Sequence, residues 1–204
     1  MRKARWLLPV CTLVAIGAIA PSYVRAYRVG GYSDAPSFLV RDLILVSKVA
    51  YDIRLPYTDI VIVSHAEPRR GDVVTFRPPG EDVTVFKRVI GCPGDTVVVQ
   101  GGRLEIGGVP LRYTRVEAAG YEPGAARNHL GELIEMEMGN GPPHLITHTP
   151  DTLSAVPSAA ARVAEDHYYL VGDNRDHSLD SRTYGAVHRA SITGRVVRTV
   201  RSTR

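Results

Sequence analysis

Asp82–Leu111, DVTVFKRVIGCPGDTVVVQGGRLEIGGVPL, is the stretch whose reading decides the fold. Valine-rich runs of strand length alternate with C-P-G-D, Gly-Gly and a second Gly-Gly, each of which breaks an extended chain into a turn. The pattern predicts strand, turn, strand, hairpin, strand, and therefore an antiparallel β-fold. In a strand, successive side chains take opposite faces. Val83, Val85, Lys87 and Val89 then share one side, and Thr84, Phe86, Arg88 and Ile90 the other. One lysine stands in a row of valines.

The flanking sequence continues the theme. FLVRDLILVSKVAYDI (38–53), YTDIVIV (57–63), VVTF (73–76), HYYLV (167–171) and ASITGRVVRTV (190–200) read as further strands. Ala118–Glu165 is loop-like, with a short helix expected at Val156–Val163, and reads as an excursion from the core. Upstream, Trp6–Val24 carries no charge behind a basic MRKAR flank. As a helix it reaches about 28 Å, close to a bilayer core. An uncleaved anchor and a cleavable leader both fit this segment, and both send the following chain across the membrane.

The 204 residues suit one globular domain plus an anchor, and 44% hydrophobic with 23% charged residues excludes a disordered chain. The net charge of +4 is spread in ones and twos, which argues against nucleic acid as a partner. Cys11 and Cys92 are not expected to pair. The histidines (His65, His129, His144, His148, His167, His177, His188) show neither triad context nor metal spacing. No metal and no cofactor are expected.

Two segments remain as carriers of chemistry. GYSDAPS (31–37) offers Ser33, but not in a G-x-S-x-G elbow. Desolvation lowers a lysine pKa from about 10.4 by up to 3–5 units when burial is complete, enough to make Lys87 a base near neutrality. A strand lysine that snorkels to water is the alternative. GDNRDHSLDSR (172–182) packs acids, bases and two serines into one loop, either solvated or built as a hydrogen-bonded scaffold.

Taken in order, these segments resemble the bacterial type I signal peptidases, membrane-anchored serine proteases of the Ser/Lys class. SDAPSFLVRD (33–42) is similar to S-M-x-P-T-L-x-x-G-D, and RRGDVVTF (69–76) to R-G-D-[IV]-V-x-F. FKRVIGCPGD (86–95) and GDNRDHSLDSRTYG (172–185) follow the family's lysine and G-D-N-R-D boxes nearly letter for letter. The resemblance implies Ser33 as nucleophile and Lys87 as general base, with Ser178 orienting the lysine. Asp180 and Arg182 would form a supporting ion pair, while Asp173 and Arg175 brace the loop. Asp34, Val85 and Phe86 are assigned to the substrate cleft.

It also implies an antiparallel β-sheet catalytic core with a β-ribbon insertion at about 118–165, behind one N-terminal transmembrane helix. Residues 1–5 would be cytoplasmic, 6–24 the anchor, and 25–204 the catalytic domain on the outer side of the plasma membrane. The implied partners are signal-peptide-bearing preproteins and the lipid bilayer. Activity is then expected to rise along the Lys87 titration, well below the range of a free lysine.

The departures cluster at the nucleophile. Where the family reads P-S-G-S-M, this chain has Gly30-Gly31-Tyr32-Ser33-Asp34, so Gly31 stands where a serine assists the oxyanion. Arg41 replaces a glycine and Ser37 a threonine. An Asp34 within about 4–6 Å of Lys87 would favour the charged amine and spoil the base; facing away, it would only reshape the cleft. A non-catalytic tethered domain that binds exported segments, and a peptidase dedicated to pilin or conjugation precursors, are the competing readings.

Overall fold

The computed structural model describes residues 22–116, 133–139, 141–148 and 159–202. Within them the architecture is mainly β, and every strand pairing is antiparallel. The principal sheet orders β1 (Val24–Arg28), β2 (Leu43–Ser47), β16 (Ile192–Val200), β5 (Val73–Phe76), β6 (Val85–Gly91), β14 (His167–Val171) and β15 (Val187–His188) side by side. A second sheet runs β13 (Ala159–Arg162), β7 (Thr96–Gln100), β8 (Arg103–Ile106), β9 (Val109–Pro110). The third is a ribbon of β10 (Arg112–Arg115), β11 (Leu133–Gly139) and β12 (Gly141–His148); β3 (Asp52–Arg54) and β4 (Val61–Ser64) form a separate hairpin. The helical turn α1 (Ser181–Tyr184) follows the polar loop after β14.

The pair β6–β14 lies between two apolar clusters, which explains its nearly unbroken apolar runs. Val89 and Leu170 point into one cluster with Val74, Phe76 and Ile192. Ile90, Tyr169 and Val171 enter the other with Val97, Val99, Leu104 and Ile106. Where β6 bends towards β7, Gly91 lets these layers close: a Cβ there would fall 2.7 Å from a Val97 methyl. Lys87 and Arg88 therefore leave the strand on opposite faces, each beside buried apolar neighbours.

Two expectations need correction. Val24 does not end an anchor helix; it opens β1 and pairs with Ser47. Residues 6–21 lie outside the described residues, among which no helix is long and apolar enough to cross a membrane. The helix expected at Val156–Val163 is, over Ala159–Arg162, a strand paired with Val99–Thr96; its alanines extend the valine edge of β7. The described parts of 118–165 are thus β-structure, with β11 and β12 in the ribbon.

Between β1 and β2 the chain makes the loop that carries Ser33. Its base is closed by Val29 N–H to Asp42 O and Arg41 N–H to Val29 O, both 2.9 Å. The buried Asp42 carboxylate caps the turn by accepting from Leu39 N–H at 3.0 Å. To make this closure Arg41 adopts φ = 78°, a left-handed conformation that strains any side chain bearing a Cβ. The glycine seen there in the resembling motif has a physical reason. Arg41→Gly is expected to stabilise the fold by about 1 kcal/mol, a rise of roughly 2–4 °C in thermal unfolding midpoint.

Candidate active site

Lys87 sits on β6 opposite Val74, and only 3% of it is exposed. Its amine donates to Ser33 Oγ at 2.6 Å, to Asp34 Oδ2 at 2.8 Å and to the Phe86 carbonyl at 2.9 Å. Ser33 Oγ in turn donates to Asp34 Oδ2 at 2.5 Å. The serine and lysine expected to meet across more than fifty positions do meet. Asp34 does not face away into a cleft: its carboxylate, 3% exposed, is an ion-pair partner of the amine.

That contact alters the expected electrostatics. An ammonium has three N–H donors and no acceptor, and all three are used here. The valine row does not seal the amine as expected, since Val83 is exposed and Val85 half-buried, leaving Val89 alone fully enclosed. Burial pushes the Asp34 carboxyl up to about 6; Lys87 draws it down and Asp173 raises it again. Above that pH the carboxyl beside the amine is ionised.

Three arginine–carboxylate pairs position these groups. Arg88, next to Lys87, clasps Asp173 through two hydrogen bonds of 2.8 and 2.6 Å and reaches Ser37 Oγ in the nucleophile loop at 3.3 Å. Burial opposes ionisation of Asp173, yet Arg88 holds its carboxyl below the usual range. Arg182 grips Asp180 with two bonds of 2.8 Å, and Asp180 also accepts from Gly172 N–H at 2.9 Å. Asn174 N–H donates to Ser33 O at 3.1 Å, tying the polar loop to the nucleophile's own backbone. A Cβ on Gly172 would collide with both Ser178 Oγ and Ser33 O, so only glycine allows this approach.

Arg175, in the same polar loop, has a partner not anticipated. Its Nη1 lies 2.7 Å from Glu137 on β11, and both side chains are 1% exposed. Burial raises the Glu137 carboxyl, but Arg175 and then His144 overcome this and hold it far below the usual range. The alternation Glu135-Met136-Glu137-Met138 puts both acids on one ribbon face, the one sequence signal that could have drawn attention to them.

Ser178 departs from its expected role. Its hydroxyl is buried, makes no hydrogen bond to Lys87 and has no partner of ordinary geometry, although its proximity helps hold Asp180 ionised. Val85 and Phe86 are half-buried, and the Phe86 ring meets Phe38 edge-on at 5.5 Å. No group of three or more His, Cys, Asp or Glu side chains is arranged to hold a metal among the described residues. Cys92 is a free thiol.

The family model for signal peptidase, peptidase S26, matches residues 3–200. The chain belongs to this family. It is 37% identical over 163 residues to signal peptidase I of Pseudomonas aeruginosa, covering 78% of this chain and 55% of that protein. A 27% identity to signal peptidase I V of Bacillus subtilis extends over 95% of this chain and 96% of the relative. A solved signal peptidase I from Enterococcus faecalis V583 aligns at TM-score 0.39 and 30% identity, covering 66% of this chain and all of that one. The chain spans about half the length of the Pseudomonas relative it matches.

The family's polar boxes are here a set of buried ion pairs, so removing one partner exposes the other to an uncompensated burial cost. Glu137→Gln is expected to destabilise the protein by roughly 3–5 kcal/mol, about 10 °C in unfolding midpoint. Glu137, Asp173 and Asp180 all have depressed folded-state pKa values. Their stabilisation is present above the ordinary carboxylate range and lost as pH falls through it. Asp34, shifted upward, has the opposite sign and costs stability as it ionises near pH 6. Denaturant unfolding from pH 8 to pH 3 is expected to show a midpoint that drops steeply below about pH 4, because three depressed carboxyls outweigh one raised one.

Proposed function

We propose that this chain is a membrane-anchored serine endopeptidase that removes signal peptides from exported preproteins, with Ser33 as nucleophile and Lys87 as general base. The observation that carries the reading is the 2.6 Å contact between Lys87 Nζ and Ser33 Oγ inside a buried pocket. A neutral Lys87 takes the Ser33 proton as Oγ attacks the scissile carbonyl. The resulting ammonium protonates the leaving amine, and an acyl-enzyme forms on Ser33. The amine that leaves is the new N-terminus of the mature chain; water then attacks the acyl carbonyl, gives a proton to Lys87, and releases the signal peptide as that proton returns to Ser33 Oγ. Substrates carry a small residue before the scissile bond and another two positions earlier, in keeping with the family resemblance. Their apolar segments share the bilayer with the proposed anchor at 6–24, which raises their local concentration at an extracytoplasmic domain.

A second reading is a tethered domain that binds exported segments without cutting them, and the Asp34–Lys87 ion pair favours it. A fluorogenic Ala-x-Ala peptide offered to the full chain in detergent separates the two. Peptidase activity is expected to fall roughly 10³-fold or more in both Ser33→Ala and Lys87→Ala. Tight peptide binding without turnover, unchanged in both variants, would establish the binder instead.

The oxyanion supplies a further test. A Cβ on Gly31 meets nothing within 4 Å, so a serine fits there without displacing its neighbours. Gly31→Ser is expected to raise kcat about tenfold by adding a hydroxyl donor near the developing charge, with little change in KM.

A further inference from the structure

We propose that Asp34 is a positioning residue that works as a brake: it holds the Lys87 amine protonated in the resting site, and catalysis requires that clamp to open. The inference rests on the serine–lysine reading above and concerns a carboxylate that stands where the resembling motif has an apolar methionine. Its basis is geometric. Asp34 Oδ2 receives both the Lys87 ammonium, at 2.8 Å, and the Ser33 hydroxyl, at 2.5 Å. The Ser33 proton is therefore directed at a carboxylate and not at the amine, and the amine directs a proton at Ser33 Oγ. In this arrangement neither hydrogen bond of Ser33 Oγ runs in the direction that activates the serine.

The neighbouring charges offer Asp34 no competing cation. Asp34 faces Lys87 and, one residue on, Arg88 from β6, Asp173 from the loop after β14, and Tyr184 from α1. The Arg88 guanidinium is committed to Asp173. Tyr184 is a half-buried neutral phenol whose titration is pushed up by burial, then by Asp180 and Asp34. Lys87 is left as the counter-ion Asp34 can use. Burial raises the Asp34 carboxyl to about 6, so the brake engages as pH rises past that value and persists until the amine itself gives up its proton.

A second hydroxyl converges on the nucleophile's backbone. Ser178 Oγ is buried without a hydrogen-bond partner, and the position of a Gly172 Cβ shows it converging with the Ser33 backbone. Opening the clamp releases one proton from Nζ, to solvent or to Asp34 Oδ2. The lone pair so freed then takes the Ser33 proton.

The experiment is a pH–rate profile of kcat/KM from pH 5 to 10.5 for wild type, Asp34→Asn and Asp34→Met, using the full chain in detergent with the Ala-x-Ala peptide. Removing an opposite charge this close moves a titration by about one to three units. The rising limb is expected to lie at least one pH unit lower in both variants, giving tenfold or greater kcat/KM at pH 8. A wild type inert throughout while the variants cut would be the same brake in its strongest form. Superimposable profiles, or folded variants that are inactive beside an active wild type, would overturn the brake and leave the peptidase reading standing. Wild type and variants all inert would sink both. Should neither variant fold, wild type alone decides: a rate still climbing at pH 9 supports the brake, and a plateau reached below pH 8 refutes it.

Discussion

One buried nitrogen organises the functional end of this molecule. Lys87 Nζ, almost fully removed from water, is held between a serine hydroxyl, a carboxylate and its neighbour's carbonyl. Taking an ammonium out of water costs several kcal/mol, and the cost is tolerable only when opposite charge and hydrogen bonds are supplied in place of solvent. In this chain Asp34 supplies the charge. The same contact that makes the pocket stable makes it chemically quiet, because a nitrogen with three donated protons has no lone pair to offer.

The rest of the core is arranged so that this pocket can exist. β6 lies between two apolar clusters and therefore has no wet face on which Lys87 and Arg88 can rest. Arg88 is neutralised by Asp173, Arg175 by Glu137 and Arg182 by Asp180. Each pair joins different parts of the chain. Arg88 and Ser37 link β6 to the nucleophile loop, Arg175 and Glu137 link the polar loop to the ribbon, and Asn174 fastens that loop to the Ser33 carbonyl. Buried pairs of this kind contribute more to a single defined arrangement than to net stability. Defined arrangement is what a serine and a lysine fifty-four positions apart require.

Much of this was legible in the primary structure, and the exceptions have physical causes. Valine-rich segments bounded by Gly, Pro and Asp became β5 to β8 because local propensity and tertiary packing agree there. Ser33, Lys87, Asp173, Asp180 and Arg182 could be found because they lie in ordered, dense motifs. Val24 was assigned to an anchor because an apolar residue beside an apolar run looks the same in a membrane helix and in an edge strand. Ala159–Arg162 looked helical because alanine favours helices, yet the unpaired edge of β7 captured it. Glu137 carries no motif of its own, and its importance arises from a long-range pairing with Arg175. The direction of Asp34 could not be read at all, since one rotation of the loop decides between a cleft residue and a counter-ion.

The chain contains three lysines, Lys3, Lys48 and Lys87, so the charge on the buried amine can be read directly. With ε-15N-lysine incorporated, three resolved side-chain signals are expected from the full chain in detergent. At pH 8 the Lys87 nitrogen should resonate as an ammonium in the wild type, with slowed exchange of its protons, and move to the free-amine position when Asp34 is replaced by asparagine. A Lys87 nitrogen already in the free-amine position at pH 8 in the wild type would contradict the account, since Asp34 would then be no counter-ion.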